Sequence, residues 1–406
     1  MKKIAGNPYL KNDKNTVIID DLPLESLLEK YETPLMIFLE NRIRDNITNF
    51  IDVFESTFNK FECFYSFKAN YLPEICNIVY SEGIGAEIIG LPEFELALKL
   101  GIHPNKIIAG GPYLPKELIE RSIENNIKEL IVYNLNDLKK INDIAKKHNL
   151  VQDICIRVNS QKYNSKLGIT LNEENLSKLT NKIMGCPNIK IRTILSHYTT
   201  QMNNSDQFKK NIKTIAENLI ILSKNGIYID NINLGGGFPE ATVMPQKQLK
   251  KIALDMKMTI EKYDIDYKKI YFEPGRYFVG DAGLFIAKII KVGSGRWVFL
   301  NIGNHICPKF ARCSLRFYNL SQINISHKHK LSFFGIMPTD QDVLAKDYFF
   351  TKNLNEGDKV LVTNVGAYTL TFSNRFPYPL PKILLVKNDN YRQIFDPLVH
   401  HDISIY

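Results

Sequence analysis

No stretch of this chain approaches the run of about 20 apolar residues that a bilayer span requires. The N-terminal Met1-Lys2-Lys3-Ile4-Ala5-Gly6-Asn7-Pro8 has no apolar core of the kind that leads a secretory signal. Both absences predict a cytoplasmic protein. The six cysteines, Cys63, Cys76, Cys155, Cys186, Cys307 and Cys313, form no CxxC pair, and no metal-ligand spacing joins them to the eight histidines. Reduced thiols and no metal site are the simplest reading. Acidic residues fall short of basic ones by a formal charge of +9, but Lys and Arg are scattered among Asn and Ile rather than gathered into a stripe. Nucleic-acid binding therefore has no footprint, while a modest positive field suits an anionic cofactor or a carboxylate. Low-complexity linkers are absent too.

What is present is the composition of a folded, water-soluble chain, 44% hydrophobic and 23% charged over 406 residues. That length exceeds one ordinary core, so two domains are expected. Thr16-Val17-Ile18-Ile19-Asp20 reads as a short strand and Leu22 to Tyr31 as a short amphipathic helix. From Pro34 onward, brief apolar runs alternate with amphipathic helices, the pattern of βα units on a parallel sheet. The strands expected are Leu35–Phe38, Cys63–Phe67, Ala86–Ile89, Lys106–Ala109, Leu130–Tyr133, Asp153–Val158, Thr193–His197, Asn231–Leu234 and Ile270–Phe272. Eight or nine repeats over roughly 240 residues fit a TIM-type (β/α)8 barrel better than an open sheet. The helix from Pro92 to Leu100 should stop at Gly101, where a left-handed cap is cheapest. Helices are also expected over Leu135–Ala145 and Gln207–Lys224. After about residue 280 the period shifts to strands such as Leu284–Ile290, Trp297–Leu300 and Lys359–Val362, an antiparallel β half. The expected division is thus a barrel over residues 36–280, with residues 1–35 and 281–406 forming a β domain.

Several strand ends carry chemistry. Phe64-Tyr65-Ser66-Phe67-Lys68-Ala69-Asn70 puts a lysine at the end of a buried strand, where burial would lower its pKa and make it nucleophilic; alternatively it snorkels to water. Leu234-Gly235-Gly236-Gly237-Phe238-Pro239 follows a late strand, and its amides could converge on a phosphate or simply make a tight turn. Phe272-Glu273-Pro274-Gly275-Arg276 offers Arg276 to a phosphate and Glu273 to a basic ring nitrogen, unless the two form a local salt bridge. His197, ahead of Thr199, Thr200 and Gln201, is either a core histidine or an imidazole that stacks on a flat ligand.

The order of these features, each closing an expected barrel strand, resembles the fold type III pyridoxal-phosphate decarboxylases, the family of ornithine, diaminopimelate and arginine decarboxylases that shares its barrel with alanine racemases. The likeness runs from about Leu22 to Pro379. Further marks are Ser165-Lys166-Leu167-Gly168-Ile169, Gly366-Ala367-Tyr368, Phe372-Ser373 and Phe376-Pro377. The resemblance implies that Lys68 carries pyridoxal 5'-phosphate and that His197 stacks on its ring. It implies that Thr200, Gly235, Gly236, Gly237, Gly275, Arg276 and Tyr368 surround the phosphate. Glu273 would bind the pyridine nitrogen, with Glu87, Glu93 and Arg157 behind. It also implies a head-to-tail homodimer with shared sites and a small amino-acid-derived substrate. A carboxylate at the ring nitrogen favours full delocalisation, hence decarboxylation over racemisation.

The chain departs from that family where substrate would sit. The segment that completes the partner's site, with a cysteine that protonates the product, reads Gly335-Ile336-Met337-Pro338-Thr339-Asp340-Gln341-Asp342. Pro338 occupies the cysteine position and has no proton to give, so either another group such as Asp340, Thr339, a water or Lys68 serves, or the chemistry is altered or absent. Thr339, Asp340 and Asp342 remain substrate candidates. Cys307-Pro308 replaces an Arg-Pro pair, leaving Arg312 and Arg316 either to hold a carboxylate or to stand as solvated surface charges. Leu114 and Leu195 stand where the family commonly has a lysine and a histidine. Persisting cofactor residues beside diverged substrate residues imply a specialised decarboxylase of a basic or diamino-acid-like substrate. A conjugated amino acid of siderophore or other secondary metabolism, such as citryl-ornithine, fits that pattern. The alternatives are an inactive relative that binds a protein partner, and a racemase or epimerase.

Overall fold

Between residues 61 and 272, strand residues alternate between two apolar surroundings, and that alternation closes a barrel. The computed structural model describes residues 2–160, 165–400 and 402–403. Eight strands run β1 (Phe61–Ser66), β2 (Gly85–Ile88), β3 (Ile107–Gly111), β4 (Glu129–Val132), β5 (Gln152–Arg157), β6 (Ile189–Leu195), β7 (Asn231–Asn233) and β8 (Lys269–Phe272). Every neighbouring pair is parallel, and β8 pairs with β1 through Ile270 and Phe61, so the sheet has no open edge. Phe64, Ile108, Ile131, Cys155, Leu195 and Tyr271 fill the lumen, while intervening residues such as Tyr65, Leu130, Ile154, Ile194 and Phe272 pack outward under the helices. The helix Leu91–Lys99 ends at Gly101 with φ +73°, its amide on the Leu98 carbonyl and that of Ile102 on Ala97. This is the left-handed cap the sequence predicts. The helices Asn136–Lys147 and Ser205–Lys224 fall within two residues of expectation, the latter capped by the Asn204 side chain accepting from the Gln207 amide.

The expected ninth repeat is not in the barrel. Leu35–Leu39 lies in a nine-stranded sheet of the second domain, antiparallel to Gly283–Gly293 and parallel to Lys382–Lys387. All five of its residues are buried, Met36 and Phe38 toward one core and Leu35, Ile37 and Leu39 toward another. A strand covered on both faces reads as a continuous apolar run whichever sheet owns it. That sheet is mixed rather than purely antiparallel, since Trp297–Leu300 also runs parallel to His329–Phe334. The first residues form a four-stranded antiparallel sheet, Lys2–Ile4, Asn7–Asp13, Thr16–Ile19 and Leu22–Pro23, and the expected helix shrinks to Leu24–Leu28. Among the described residues no helix is long and apolar enough to cross a membrane.

Glu129, at the start of β4, is buried and accepts a 2.7 Å bond from Thr193 Oγ1. Burial pushes its carboxyl up to about 7. Because the folded chain holds this proton more tightly than the unfolded one, its contribution to stability is complete below the ordinary value of 4.5 and is lost as pH rises through about 7. Glu129→Gln cannot ionise. Its stability relative to the natural protein, from urea denaturation, should therefore rise by about 3 kcal/mol between about pH 4 and about pH 8; a difference independent of pH would contradict this.

Candidate functional site at the barrel mouth

The same alternation that fills the lumen decides which side chains reach the C-terminal mouth. Two residues beyond a lumen position the side chain points inward again, now above the packed layer. Tyr133 stands in this relation to Ile131, Arg157 to Cys155, His197 to Leu195 and Glu273 to Tyr271. On β1 the series is Phe64, Ser66 and Lys68, the last on the 3-10 turn Phe67–Ala69.

Lys68 is neither bare nor snorkelling. Its Nζ donates to both carboxylate oxygens of Glu87, at 2.9 and 2.7 Å, while Glu87 also accepts from Ser66 Oγ. Burial pulls the amine's pKa down, but Glu87 first, and with it Tyr368, Tyr133 and Glu273, together outweigh it and the net shift is upward. This reverses the sequence expectation of a lowered pKa: the lysine rests as an ammonium, because its neighbour is an anion rather than an apolar wall. About a third of the side chain (34%) remains open, so the end of the barrel gives access to it. The turn is held from the second domain by the Tyr368 amide on the Ala69 carbonyl (2.7 Å) and Thr371 Oγ1 on the Lys68 carbonyl (2.9 Å).

Glu273 is also buried, and Asn233 Nδ2 donates to its Oε1 at 2.8 Å. Burial, then the Glu87 charge, push it up to about 7. No salt bridge joins it to Arg276. Arg276 turns instead to Glu240, Nη1 to Oε1 at 3.1 Å, to the Ala311 carbonyl, and to the face of Tyr368, 4.9 Å from the ring centre. Its Nε is buried without a partner. Arg157 lies over the Tyr133 ring and donates to Tyr133 Oη at 2.6 Å, and its Nε is likewise unpartnered. The Gly236 amide donates to His197 Nδ1 at 3.3 Å, so that nitrogen carries no proton. Burial, with Arg157 and Lys68 nearby, pulls His197 down to about 3, and it stays a neutral, flat ring.

The glycines form a cradle with no room for side chains. A Cβ on Gly235 would lie 2.8 Å from His197 Nδ1, one on Gly236 2.3 Å from the Glu273 carbonyl oxygen, and one on Gly275 2.8 Å from Ala69 Cβ. Gly235 and Gly237 have φ of +65° and +87°. Backbone, lysine, imidazole, carboxylate and two guanidinium Nε atoms without partners together fit a flat, phosphorylated aldehyde. Thr200 is exposed in the adjoining bend. Glu93 Oε2 accepts from the Ile89 amide at 2.6 Å at the head of its helix, within reach of the charges of Glu87 and Lys68.

The residues expected at the substrate separate. Asp342 is buried, with Oδ1 accepting from the Asn304 amide (2.6 Å) and Oδ2 from the Met337 amide (2.8 Å). It is a loop staple and not a substrate ligand, because both oxygens are spent on backbone amides. Arg316 donates to the Ala5 carbonyl at 3.2 Å and ties the second domain to the N-terminal sheet. Pro338, Thr339 and Asp340 face solvent on a turn, and Arg312 is exposed beside the mouth, where its carbonyl accepts from Gln201. Cys307 is buried. Sequence reasoning missed Tyr133, Asn233 and Glu240; the first was available from its parity with Ile131, the others only from the fold.

Comparison with known proteins agrees with this geometry. Residues 44–280 match the family described as pyridoxal-dependent decarboxylase, pyridoxal binding domain. A diaminopimelate decarboxylase of Methanocaldococcus jannaschii is 23% identical over 397 residues, 91% of this chain and 90% of that protein. An L-glutamyl-[BtrI acyl-carrier protein] decarboxylase of Niallia circulans is 25% identical, covering 93% of this chain and 94% of its own length. The crystal structure of diaminopimelate decarboxylase from M. jannaschii superposes with a TM-score of 0.85 at 23% identity, over 97% of this chain and 96% of that one. With more than half its length matched to one family, the chain belongs to the pyridoxal-dependent decarboxylases, and pyridoxal phosphate is its cofactor.

Proposed function

We propose that this protein removes the α-carboxylate of a basic amino acid presented as a conjugate, at a site organised by Lys68. The observation that carries the reading is the Lys68–Glu87 pair at the barrel mouth beside buried Glu273. Pyridoxal phosphate, when bound, supplies the electron sink for the pair that the departing carbon dioxide leaves behind. Lys68 would carry it, Glu273 would hold a proton at its ring nitrogen, and neutral His197 would lie against its face. Gly235, Gly236, Gly237 and Gly275, with Arg276 and Tyr368, would surround its phosphate, although the Gly235 and Gly236 amides already donate to Asn233 Oδ1 and His197 Nδ1. Glu87 and Arg157 set the charge around the lysine. A carboxylate rather than a guanidinium at position 273 favours decarboxylation over racemisation.

The proton that replaces carbon dioxide needs a donor other than Pro338. Lys68 Nζ, kept as an ammonium by Glu87, is the source within this chain. A homodimer would bring the partner's copy of the 335–342 turn over the mouth, where Asp340 and Thr339 could meet a substrate ammonium and Arg312 a second carboxylate. Supporting it, Phe310 and Phe372 touch at 4.8 Å yet are 71% and 40% exposed in one protomer, and Phe376 and Tyr378 are exposed nearby. The conjugate is argued from the lost Arg-Pro pair and from the Niallia relative, whose name places its amino acid on a carrier protein. Citryl-ornithine remains the preferred example, in the cytoplasm.

Carbon dioxide release should be measured from carboxyl-labelled lysine, ornithine and diaminopimelate and from their citryl and carrier-protein conjugates. Release from a conjugate, with the free amino acids at least about tenfold slower in kcat/KM, is the expected outcome. Loaded protein that releases none from any of them, or that exchanges the Cα hydrogen without release, would overturn the assignment.

A further inference from the structure

Three residues beyond the glycine triplet, the loop proposed as the wall of the phosphate site places an anion of its own. Glu240 is completely buried (0%) and pairs with Arg276, itself only 5% exposed at its side chain. Oε1 takes Arg276 Nη1 at 3.1 Å, and Oε2 lies 3.5 Å from Ser314 Oγ. The carboxylate is fixed from below, because a Cβ on Gly280 would come within 2.7 Å of Glu240 Cγ. The guanidinium cannot move far: Nη2 is bound to the Ala311 carbonyl and its carbon sits over Tyr368. Nε, buried and unpartnered, is left for another acceptor.

We propose that Glu240 is a built-in competitor for the cofactor's phosphate, a positioning residue that occupies Arg276 and sets how tightly the phosphate, as distinct from the aldehyde, is held. The inference rests on the reading of Arg276 as the phosphate's guanidinium. A phosphate entering beside Arg276 meets a second negative charge in surroundings that screen it poorly, so the pair either opens or shares the cation. Either way the phosphate gains less from Arg276 than it would from an unpaired guanidinium. The consequence is a cofactor that exchanges more readily than the glycine cradle alone would allow.

Absorption titration of the cofactor-free protein with pyridoxal phosphate and, separately, with pyridoxal isolates the phosphate's share. For Glu240→Gln the Kd for pyridoxal phosphate is expected to fall about tenfold while that for pyridoxal changes by less than about twofold. Arg276→Met should raise the Kd for pyridoxal phosphate and leave pyridoxal alone. Should the Gln protein fail to fold, Glu240→Ala carries the same expectation. Unchanged or weaker binding of pyridoxal phosphate in the Glu240 variants, with Arg276→Met still weakening it, would overturn the competitor role but not the role of Arg276. An Arg276→Met protein with natural affinity would overturn both, and equal changes for the two ligands would show that Glu240 acts through general packing.

Discussion

Alanine in place of Lys68 is expected to lower kcat by on the order of 10³-fold or more and to abolish covalent retention of the cofactor. Two functions are lost together. The amine that would attach the aldehyde is gone, and so is the ammonium proton that Glu87 holds at Nζ. The protein should still fold, because the Lys68 side chain is partly open and the turn is held through its backbone by Tyr368 and Thr371. Its urea midpoint should therefore stay near that of the natural chain. Added methylamine should restore part of the rate by replacing the lost amine. Turnover within about tenfold of the natural protein, measured as carbon dioxide release, would remove Lys68 from the centre of the chemistry.

A second large effect is expected far from substrate. Asp281 is fully buried where the barrel hands over to the second domain, and four donors meet its carboxylate. Arg42 contributes Nη2 at 2.7 Å and Nε at 3.3 Å, Asn46 Nδ2 lies at 2.8 Å, and the Thr242 amide at 2.9 Å. Asn7 Nδ2 joins from the N-terminal sheet by donating to the Asp281 carbonyl at 2.9 Å. Asp281→Ala leaves the buried Arg42 guanidinium without its main counter-charge. The expected loss is about 3–5 kcal/mol, against a total stability of about 5–15 kcal/mol for a typical native protein. Denaturation of the variant by urea measures it. A loss under about 1 kcal/mol would mean that water or Asp45, 3.2 Å from Arg42 Nη1, takes over the charge.

The strand-end positions of the cofactor-side residues were legible because they follow from a periodicity, while their cofactor roles came from the family resemblance. Lys68, His197, Glu273 and Arg157 each continue the inward series of a strand whose apolar residues already marked it as parallel and buried. The glycine triplet was legible as well, since close packing against His197 and the Glu273 carbonyl admits no other residue. The substrate side obeys no such rule. Asp342 and Arg316 have the right chemistry for ligands, but residue type cannot say whether a carboxylate faces a cavity or two backbone amides. Leu35–Leu39 failed for a related reason: a strand buried on both faces carries no mark of which sheet owns it. The direction of the Lys68 shift could not be read from its own strand either, because the anion that raises it comes from β2. Burial was foreseen, and its partner was not.

In the homodimer proposed above, Pro338 would limit what the partner's turn does. If the 335–342 turn of a second subunit does not donate a proton, its remaining task is recognition, through Asp340 and Thr339, both exposed in one protomer. In such a dimer, protonation and substrate selection would fall to different chains, with Lys68 holding the proton at the mouth of one and the turn of the other reading the substrate's far end. Such a division permits the turn to diverge without loss of the chemistry at Lys68.

Reduction of the cofactor-loaded protein with borohydride, followed by proteolysis and mass spectrometry, tests the central claim most directly. The account predicts a pyridoxyl-phosphate adduct on the peptide that carries Lys68 and on no other. An adduct on a different lysine, or a loaded protein that yields none, would contradict it.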